Sequence, residues 1–261
     1  MNAKQYLRIW LRSHGAAERR LQAALRRHFT EQAAEIAERV RAGADASQAF
    51  DLAEATAALL DIVRPWLVRS AAQGAATEFA LFEGHRPEKA GTSSDFNLPA
   101  PVYEAIDRTI GQTLRRPYWQ GVGRTTRENI HQAILEGIDE GDSQDALATR
   151  VRRALAGTGA EERALIIART ESTGALNAGH HAARQQLIQE GLIGGSEWVT
   201  MGDDVVRETH LAADGQTIGA HEQFSIGGEL CPYPGYFGLS AGERINCRCT
   251  TVAAGIFGAD E

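Results

Sequence analysis

Residues 166–183 read IIARTESTGALNAGHHAA, and this stretch marks the point where the chain changes character. Its small and apolar residues belong to a longer periodic pattern that predicts a helix over about residues 160–190. From Gly191 onward the sequence is rich in glycine, and short runs such as EWVTM and QFSI alternate with turn signals. We therefore expect residues 192–261 to form a compact module that is β-rich or irregular.

The residues before this stretch are predicted to be mainly helical. An apolar stripe at helical spacing covers residues 4–41 and ends near Gly43, and a second helix runs through Phe50. Pro65 is expected to kink or break that second helix, because proline lacks a backbone donor and clashes with the preceding turn. Further helices are expected over about residues 100–116, 126–140 and 143–156.

These patterns divide the chain into four consecutive segments and predict the α+β class. Residues 1–83 form a helical hairpin or bundle, and residues 84–101 are a linker or exposed loop, because glycine, proline, serine and charge gather there without periodicity. Residues 102–158 supply connecting helices, and residues 159–261 form the small mixed, loop-rich module that closes the chain.

Charge is distributed unevenly along the 261 residues, whose formal net charge is -7. Residues 1–82 hold 11 basic and 9 acidic side chains, whereas residues 192–261 hold 3 and 10. This balance excludes a chain devoted to nucleic-acid binding and indicates two surfaces with different partners. No stretch is apolar enough for a signal peptide or a membrane span, so we expect a protein that is made and kept in the cytosol and has no membrane partner.

All three cysteines lie near the carboxy terminus, and their odd number argues against a disulfide framework. With His210 they could form a tetrahedral zinc site, which suits thiolate and imidazole ligands. The alternative is that the cysteines are small buried packing residues and that His210 bonds to Asp214 or to a carbonyl group. No cofactor is required, and zinc is possible at four residues: His210, Cys231, Cys247 and Cys249.

An ordered set of short motifs spans residues 168–249, from ARTE through a tryptophan, a histidine and Asp-Gly to NCRC. Taken together, the set resembles the carboxy-terminal domain of phage Mu F-like minor head proteins. Asp204 and the additional Cys231 depart from that pattern. The matching residues include Arg169, Thr170, Glu171, Asn177, Gly179, Trp198, Arg207, His210, Asp214, Gly215, Phe224, Pro234, Asn246, Cys247, Arg248 and Cys249.

The resemblance implies a minor capsid protein that acts in head morphogenesis and procapsid assembly, at or near the portal. It implies the portal protein, the major capsid protein or both as partners, and location in the virion. Some relatives are thought to aid packaging or to enter the host with the DNA. None of these roles requires a chemical reaction.

Two other classes of function stay open from the residues alone. His210, Asp214 and one cysteine could form a nucleophile, base and orienting group, as in a zinc- or cysteine-dependent enzyme. We assign no catalytic residue, because no phosphate loop, metalloprotease helix or nucleophile elbow is present. The other class is a DNA-binding assembly factor, with contacts from a stripe along the first helix: Arg8, Arg12, Arg19 and Arg26.

Several motif residues have simple structural interpretations. Arg169 is expected to pair with an acidic residue of the closing module and so to tie the long helix to it. Gly215 is expected to supply a positive φ angle in a turn, and Asn246 to hydrogen-bond the main chain of its loop. The neighbouring His180 and His181 are expected to be exposed.

Overall fold

A computed structural model describes residues 3–84, 96–156 and 158–256 of the chain. Seven helices, three of them more than 30 residues long, precede a small mixed module in this described part, which confirms the α+β class. The helices before the module are α1 (Ala3–Arg41), α2 (Ala46–Ala49), α3 (Leu52–Phe82), α4 (Ala100–Leu114), α5 (Pro117–Asp139), α6 (Gln144–Ala156) and α7 (Thr158–Gln189). The module contains β1 (Ile193–Val199), α8 (Glu208–Leu211), β2 (Thr217–Ile218), β3 (Phe224–Ile226), β4 (Glu229–Cys231), α9 (Ala241–Arg244) and β5 (Thr250–Ile256).

The chain forms two compact units, and each is assembled from separated stretches of sequence. The first unit contains residues 1–19, 66–113 and 167–261, and the second contains residues 20–65 and 114–166. Four consecutive segments were expected instead. The difference arises because α1, α3 and α7 are long enough to contribute to both units. Most of the expected linker, residues 85–95, lies outside the described residues.

Two helix boundaries differ from the sequence-based expectation. Helix α3 continues through Pro65, so the predicted break is wrong, although the boundary between the compact units falls directly after this residue. A proline removes one backbone hydrogen bond, and a helix of 31 residues retains enough others to continue. Helix α5 begins at Pro117, well before the expected residue 126, because proline is well suited to the first helical position.

The second unit has an apolar core between α1, α5 and α6. Its buried residues recur at helical spacing, so each helix turns one apolar face inward. Asp45 caps α2 with a reciprocal capping box that involves Gln48, and Gly43 ends α1 with a φ of 95°. The core consists of Ala33, Ile36, Val40, Ala49, Phe50, Ile130, Ala133, Ile134, Leu147, Val151 and Leu155.

The closing module belongs to the first unit and is built on a three-stranded antiparallel sheet in the order β2-β1-β5. Residue Trp198 of β1 lies opposite Thr251 of β5. A separate hairpin joins β3 to β4 through two glycines with positive φ, as two-residue hairpin turns require. Together these strands enclose a core of Trp198, Ala213, Ile218, Phe224, Ile226, Cys231, Leu239, Cys247 and Cys249.

Helices α3 and α7 approach each other closely within the first unit, where glycines leave room for the opposite backbone. A Cβ atom added at Gly179 would lie 1.8 Å from the carbonyl oxygen of Ala71, and one added at Gly74 would lie 2.3 Å from that of Leu176. Contacts this short leave no space for a side chain. The close approach positions the buried face of α7 against the rest of the unit.

We predict that Gly179→Ala lowers the free energy of unfolding by about 1–3 kcal/mol or more, because the added methyl group meets backbone that cannot move aside. Gly159→Ala in the first turn of the same helix is the matched control. No atom lies within 4 Å of a Cβ added there, so it should stabilise the helix by up to about 1 kcal/mol. Urea unfolding followed by circular dichroism measures both changes, and equal effects would contradict the close approach.

Candidate functional site

Helix α7 places a row of polar side chains inside the first unit. Positions 170, 173, 177 and 184 are three, four and seven residues apart, so they share one face of the helix. All four side chains are fully buried. A polar group inside a protein needs a hydrogen-bond partner, and for this face the partners come largely from residues 234–251.

The first two contacts of this row fix the start of the NCRC segment. The backbone N–H of Asn246 donates to Thr170 Oγ1 at 3.1 Å, and Thr173 Oγ1 donates to the carbonyl oxygen of Cys247 at 2.7 Å. Asn246 has a φ of 59°, a left-handed conformation that asparagine tolerates better than most residues. The Asn246 backbone thus bonds to a side chain of the helix, and the expected bond from Asn246 to the main chain of its own loop stays a prediction.

Asn177 makes the central contact of the row. Its side-chain amide donates to the carbonyl oxygens of Pro234 at 3.0 Å and Cys249 at 2.9 Å, and its own oxygen accepts from Thr250 Oγ1 at 2.9 Å. Both N–H donors and the carbonyl of this amide are therefore satisfied. One side chain thus joins α7, the loop after β4 and the start of β5.

The last residue of the row, Arg184, belongs to a buried ionic cluster. Its guanidinium binds both carboxylate oxygens of Glu78, at 2.7 Å and 2.8 Å, and also donates to the carbonyl oxygen of Thr251 at 2.6 Å. Tyr6 and His180 complete the set through bonds of 3.1 Å and 2.9 Å to the same carboxylate. His180 was expected to be exposed, and this was wrong because its ring fills the space between α1 and α3.

Two ion pairs involve the ARTE motif. Glu171, which is 2% exposed, accepts from Arg244 of α9 at 2.6 Å, so the tie between helix and module is made by this carboxylate. Arg169 instead donates to Glu18 of α1 at 3.2 Å. The expected pairing of Arg169 with an acid of the module is therefore wrong, because α1 lies closer to it.

The arginines of the module bind its own loops. Arg248 points away from the core and donates to both carboxylate oxygens of Asp203, at 2.9 Å and 2.7 Å. Its carbonyl oxygen accepts from Trp10 Nε1 of α1 at 3.2 Å. Arg207 precedes α8 and donates to the carbonyl oxygen of Ile245. Both motif arginines thus have internal partners.

His210, Cys247 and Cys249 meet in the core of the module, where they are 2%, 1% and 3% exposed. The Nδ1 atom of His210 lies 3.4 Å from Cys249 Sγ and 3.7 Å from Cys247 Sγ. On the other side of the ring, Nε2 lies 3.0 Å from Glu243 Oε2, which also accepts from Thr209 Oγ1 at 2.8 Å. The structure therefore brings together three of the four residues expected to hold zinc.

The three thiols differ in their protonation behaviour. The neighbouring Cys249 thiol and the His210 ring lower the pKa of Cys247 to about 5, despite the opposing effect of burial. The pKa of Cys249 is raised, first by its hydrogen bond with Cys247 and then by burial. Burial raises the pKa of Cys231 to about 12. One thiolate shared between Cys247 and Cys249 is the favoured state of this pair.

Two expectations for this region need correction. Cys231 lies in the same apolar core but outside the group of ligand atoms formed by His210, Cys247 and Cys249, because it ends β4 rather than following α9. Asp214 does not orient His210, since its carboxylate caps the backbone N–H of Thr200 at 2.7 Å. Glu243 takes the orienting position instead. Gly215 has a φ of 78°, as predicted.

A cysteine, a histidine and a carboxylate in this order can act as a nucleophile, base and orienting group. Catalysis also requires that a substrate reach the sulfur, and both sulfur-bearing residues are almost fully buried. Trp198 packs edge-on against the imidazole, with ring centroids 5.7 Å apart, and closes that side of the ring. The arrangement as it stands suits a structural or metal-binding centre.

The arginine stripe of α1 lies on the protein surface. Arg8, Arg12 and Arg19 are exposed in the first unit, and no ion pair joins them to the described residues. Arg26 is exposed in the second unit and pairs with Glu161 at 2.8 Å. None of the helices in the described part of the chain combines the length and apolar composition that a membrane span requires.

This geometry defines a class: a helical scaffold and a small β module that are joined through buried motif residues such as Thr170, Glu171 and Asn177. Residues 128–252 match the protein family described as Phage Mu protein F like protein. The resemblance expected from the sequence is confirmed over this range.

Two relatives share part of the sequence. The chain is 30% identical over 125 residues to the NAD(+)--arginine ADP-ribosyltransferase EFV of Enterococcus faecalis, which covers 48% of this chain and 25% of that protein. It is 36% identical over 92 residues to the Bacillus subtilis protein YqbB, which covers 34% of this chain and 29% of that protein. The chain thus spans between a quarter and a third of these relatives' length. No solved structure matches it.

Glu78 gives the site a pH dependence. Burial alone would raise the pKa of this carboxyl, but the Arg184 guanidinium and then the His180 ring lower it from 4.5 to about 2. A carboxyl whose pKa is depressed by folding stabilises the folded state above its unfolded pKa. We predict that about 3 kcal/mol of stability is lost as pH falls from about 4.5 to about 2.

Urea unfolding at a series of pH values measures this loss. The matched variant is Glu78→Gln/Arg184→Met, which removes both charges together and leaves neither one buried alone. Other carboxyl groups titrate alike in both proteins, so the difference between the two profiles reports the buried pair. Parallel profiles across the acid range would show that the pair contributes nothing.

Proposed function

We propose that this chain is a minor component of the phage head that acts in head assembly by binding other head proteins and not by catalysing a reaction. The family match over residues 128–252 supports the head role. The observation that carries the non-catalytic part is the burial of three motif residues on α7. Thr170, Glu171 and Asn177 are each buried and each bound to residues of the closing module.

The motif residues therefore build a rigid body and do not form a reactive cleft. A rigid module can present the same surface to a partner in every copy, which suits a protein that joins a shell at a defined place. We propose that this partner is the portal protein, the major capsid protein or both. The resulting location is the virion, after synthesis in the host cytoplasm.

The relative from Enterococcus faecalis raises an enzymatic alternative through its name. The match covers 25% of that protein, so three quarters of its length lies outside the shared region. We infer that what this chain shares with it is a structural module and not the transferase chemistry. The burial of Cys247, Cys249 and His210 favours the same conclusion.

Packaged DNA is a second partner that one observation favours. Arg8 and Arg12 are one helical turn apart on α1, they are exposed, and no ion pair with the described residues neutralises them. Such a face attracts phosphates through a contact that weakens steeply with salt. The chain's overall charge of -7 limits this role to a local contact.

The head role predicts that the protein is present in purified heads and that deleting its gene lowers the yield of infectious particles. Quantitative mass spectrometry of gradient-purified heads measures the first, and plaque titre measures the second. We expect a few copies per head. Complementation with Glu171→Gln should fail, because breaking the buried ion pair between Glu171 and Arg244 costs about 3–5 kcal/mol of stability.

The control for this complementation is Glu190→Gln, the same substitution at an exposed position just after α7, which should restore the titre fully. Absence of the protein from heads, together with an unchanged titre in the deletion, would refute the head role. Presence in heads combined with full activity of Glu171→Gln would refute the structural interpretation of the motif.

A further inference from the structure

The side chains of His210, Cys247 and Cys249 are arranged as the ligands of a tetrahedral metal ion are. Their three ligand atoms all lie within 4.8 Å of one another. With zinc–sulfur bonds of about 2.3 Å and zinc–nitrogen bonds of about 2.0–2.1 Å, tetrahedral geometry separates nitrogen from sulfur by about 3.6 Å. The two nitrogen–sulfur distances here are 3.4 Å and 3.7 Å.

The orientation of the imidazole also fits a metal ligand. Glu243 binds Nε2 at 3.0 Å, so that nitrogen carries the proton and the lone pair of Nδ1 points toward the two sulfurs. Glu243 is itself held by Thr209 Oγ1 at 2.8 Å. A carboxylate behind a histidine is the usual means by which proteins fix the tautomer and direction of a metal-binding ring.

Both sulfurs lie beside the same ring nitrogen, Nδ1 of His210, at 3.4 Å and 3.7 Å. A divalent cation would engage all three groups at once. Trp198 packs against the His210 ring and Phe224 packs against Trp198, so apolar side chains lie beside the cluster.

We propose that His210, Cys247 and Cys249 bind one thiophilic divalent cation of the zinc class, with Glu243 as the positioning residue for His210. Two thiolates and an imidazole select such an ion over magnesium or calcium, which prefer oxygen ligands. The ion would join α8 to the segment that follows α9, within a module whose helices and strands are mostly short. Its role is structural, because the ligands are buried.

The test is metal analysis of the full chain, purified without a polyhistidine tag. We expect one equivalent of zinc per chain by elemental analysis. Removal with a chelator should lower the Tm, and added Zn²⁺ should restore it with saturation at one equivalent. Replacement by Co²⁺ should give the absorption of a tetrahedral site together with cobalt–thiolate charge-transfer bands. This spectrum is measured on the unmodified chain.

Three substitutions test how much each residue contributes to zinc binding. Cys247→Ser or Cys249→Ser should abolish stoichiometric zinc binding. Glu243→Gln retains the ligands but weakens the support of the ring, so zinc affinity should fall by about 10–100-fold. Ile226→Val is the matched control, since it removes one methyl group from the same apolar core and no ligand. It should bind zinc as the unmodified chain does.

Three results would overturn the proposal. The first is a folded chain that contains no metal and whose Tm does not respond to Zn²⁺. The second is bound Co²⁺ without thiolate charge-transfer bands, which would place the ion elsewhere on the protein. Loss of zinc from Ile226→Val as complete as from the cysteine variants would likewise contradict the assignment of these ligands.

Discussion

The side-chain amide of Asn177 is the contact on which the closing module depends. It satisfies the carbonyl oxygens of Pro234 and Cys249 and the hydroxyl of Thr250, all inside the protein. Each buried polar group left without a partner costs about 1–3 kcal/mol of stability. Loss of the Asn177 side chain would therefore cost several times that amount. The path of residues 234–250 is therefore set by a helix that precedes it in the sequence.

The motif residues lie far apart in sequence, and the same face of α7 brings them together in the structure. Thr170 and Thr173 hold the turn at Asn246 and Cys247, and Arg184 holds Thr251 after the NCRC segment. With that segment fixed, both cysteines face His210 while Arg248 points outward. The module thus combines a helix-bound strand with a small polar centre, and both features support the structural role that we propose.

Local patterns in the sequence were sufficient to predict the α+β class, the long helix over α7 and the motif set of the family. They could not identify the partners, because Glu171 with Arg244 and Glu78 with Arg184 are separated by 73 and 106 residues. One missed signal was available, since Glu78 is the only charged residue of α3 after Arg69. Glu243 as the partner of His210 and the continuity of α3 at Pro65 depend on tertiary packing that no periodicity encodes.

Amide hydrogen exchange of Asn177→Ala, compared with the unmodified chain, tests the central role of this residue most directly. If α7 holds the module through Asn177, exchange should accelerate together in β1, β5 and residues 232–236, which lie far from position 177 in sequence. Acceleration limited to the turns of α7 around residue 177 would contradict this account. It would show that the module keeps its structure without the helix.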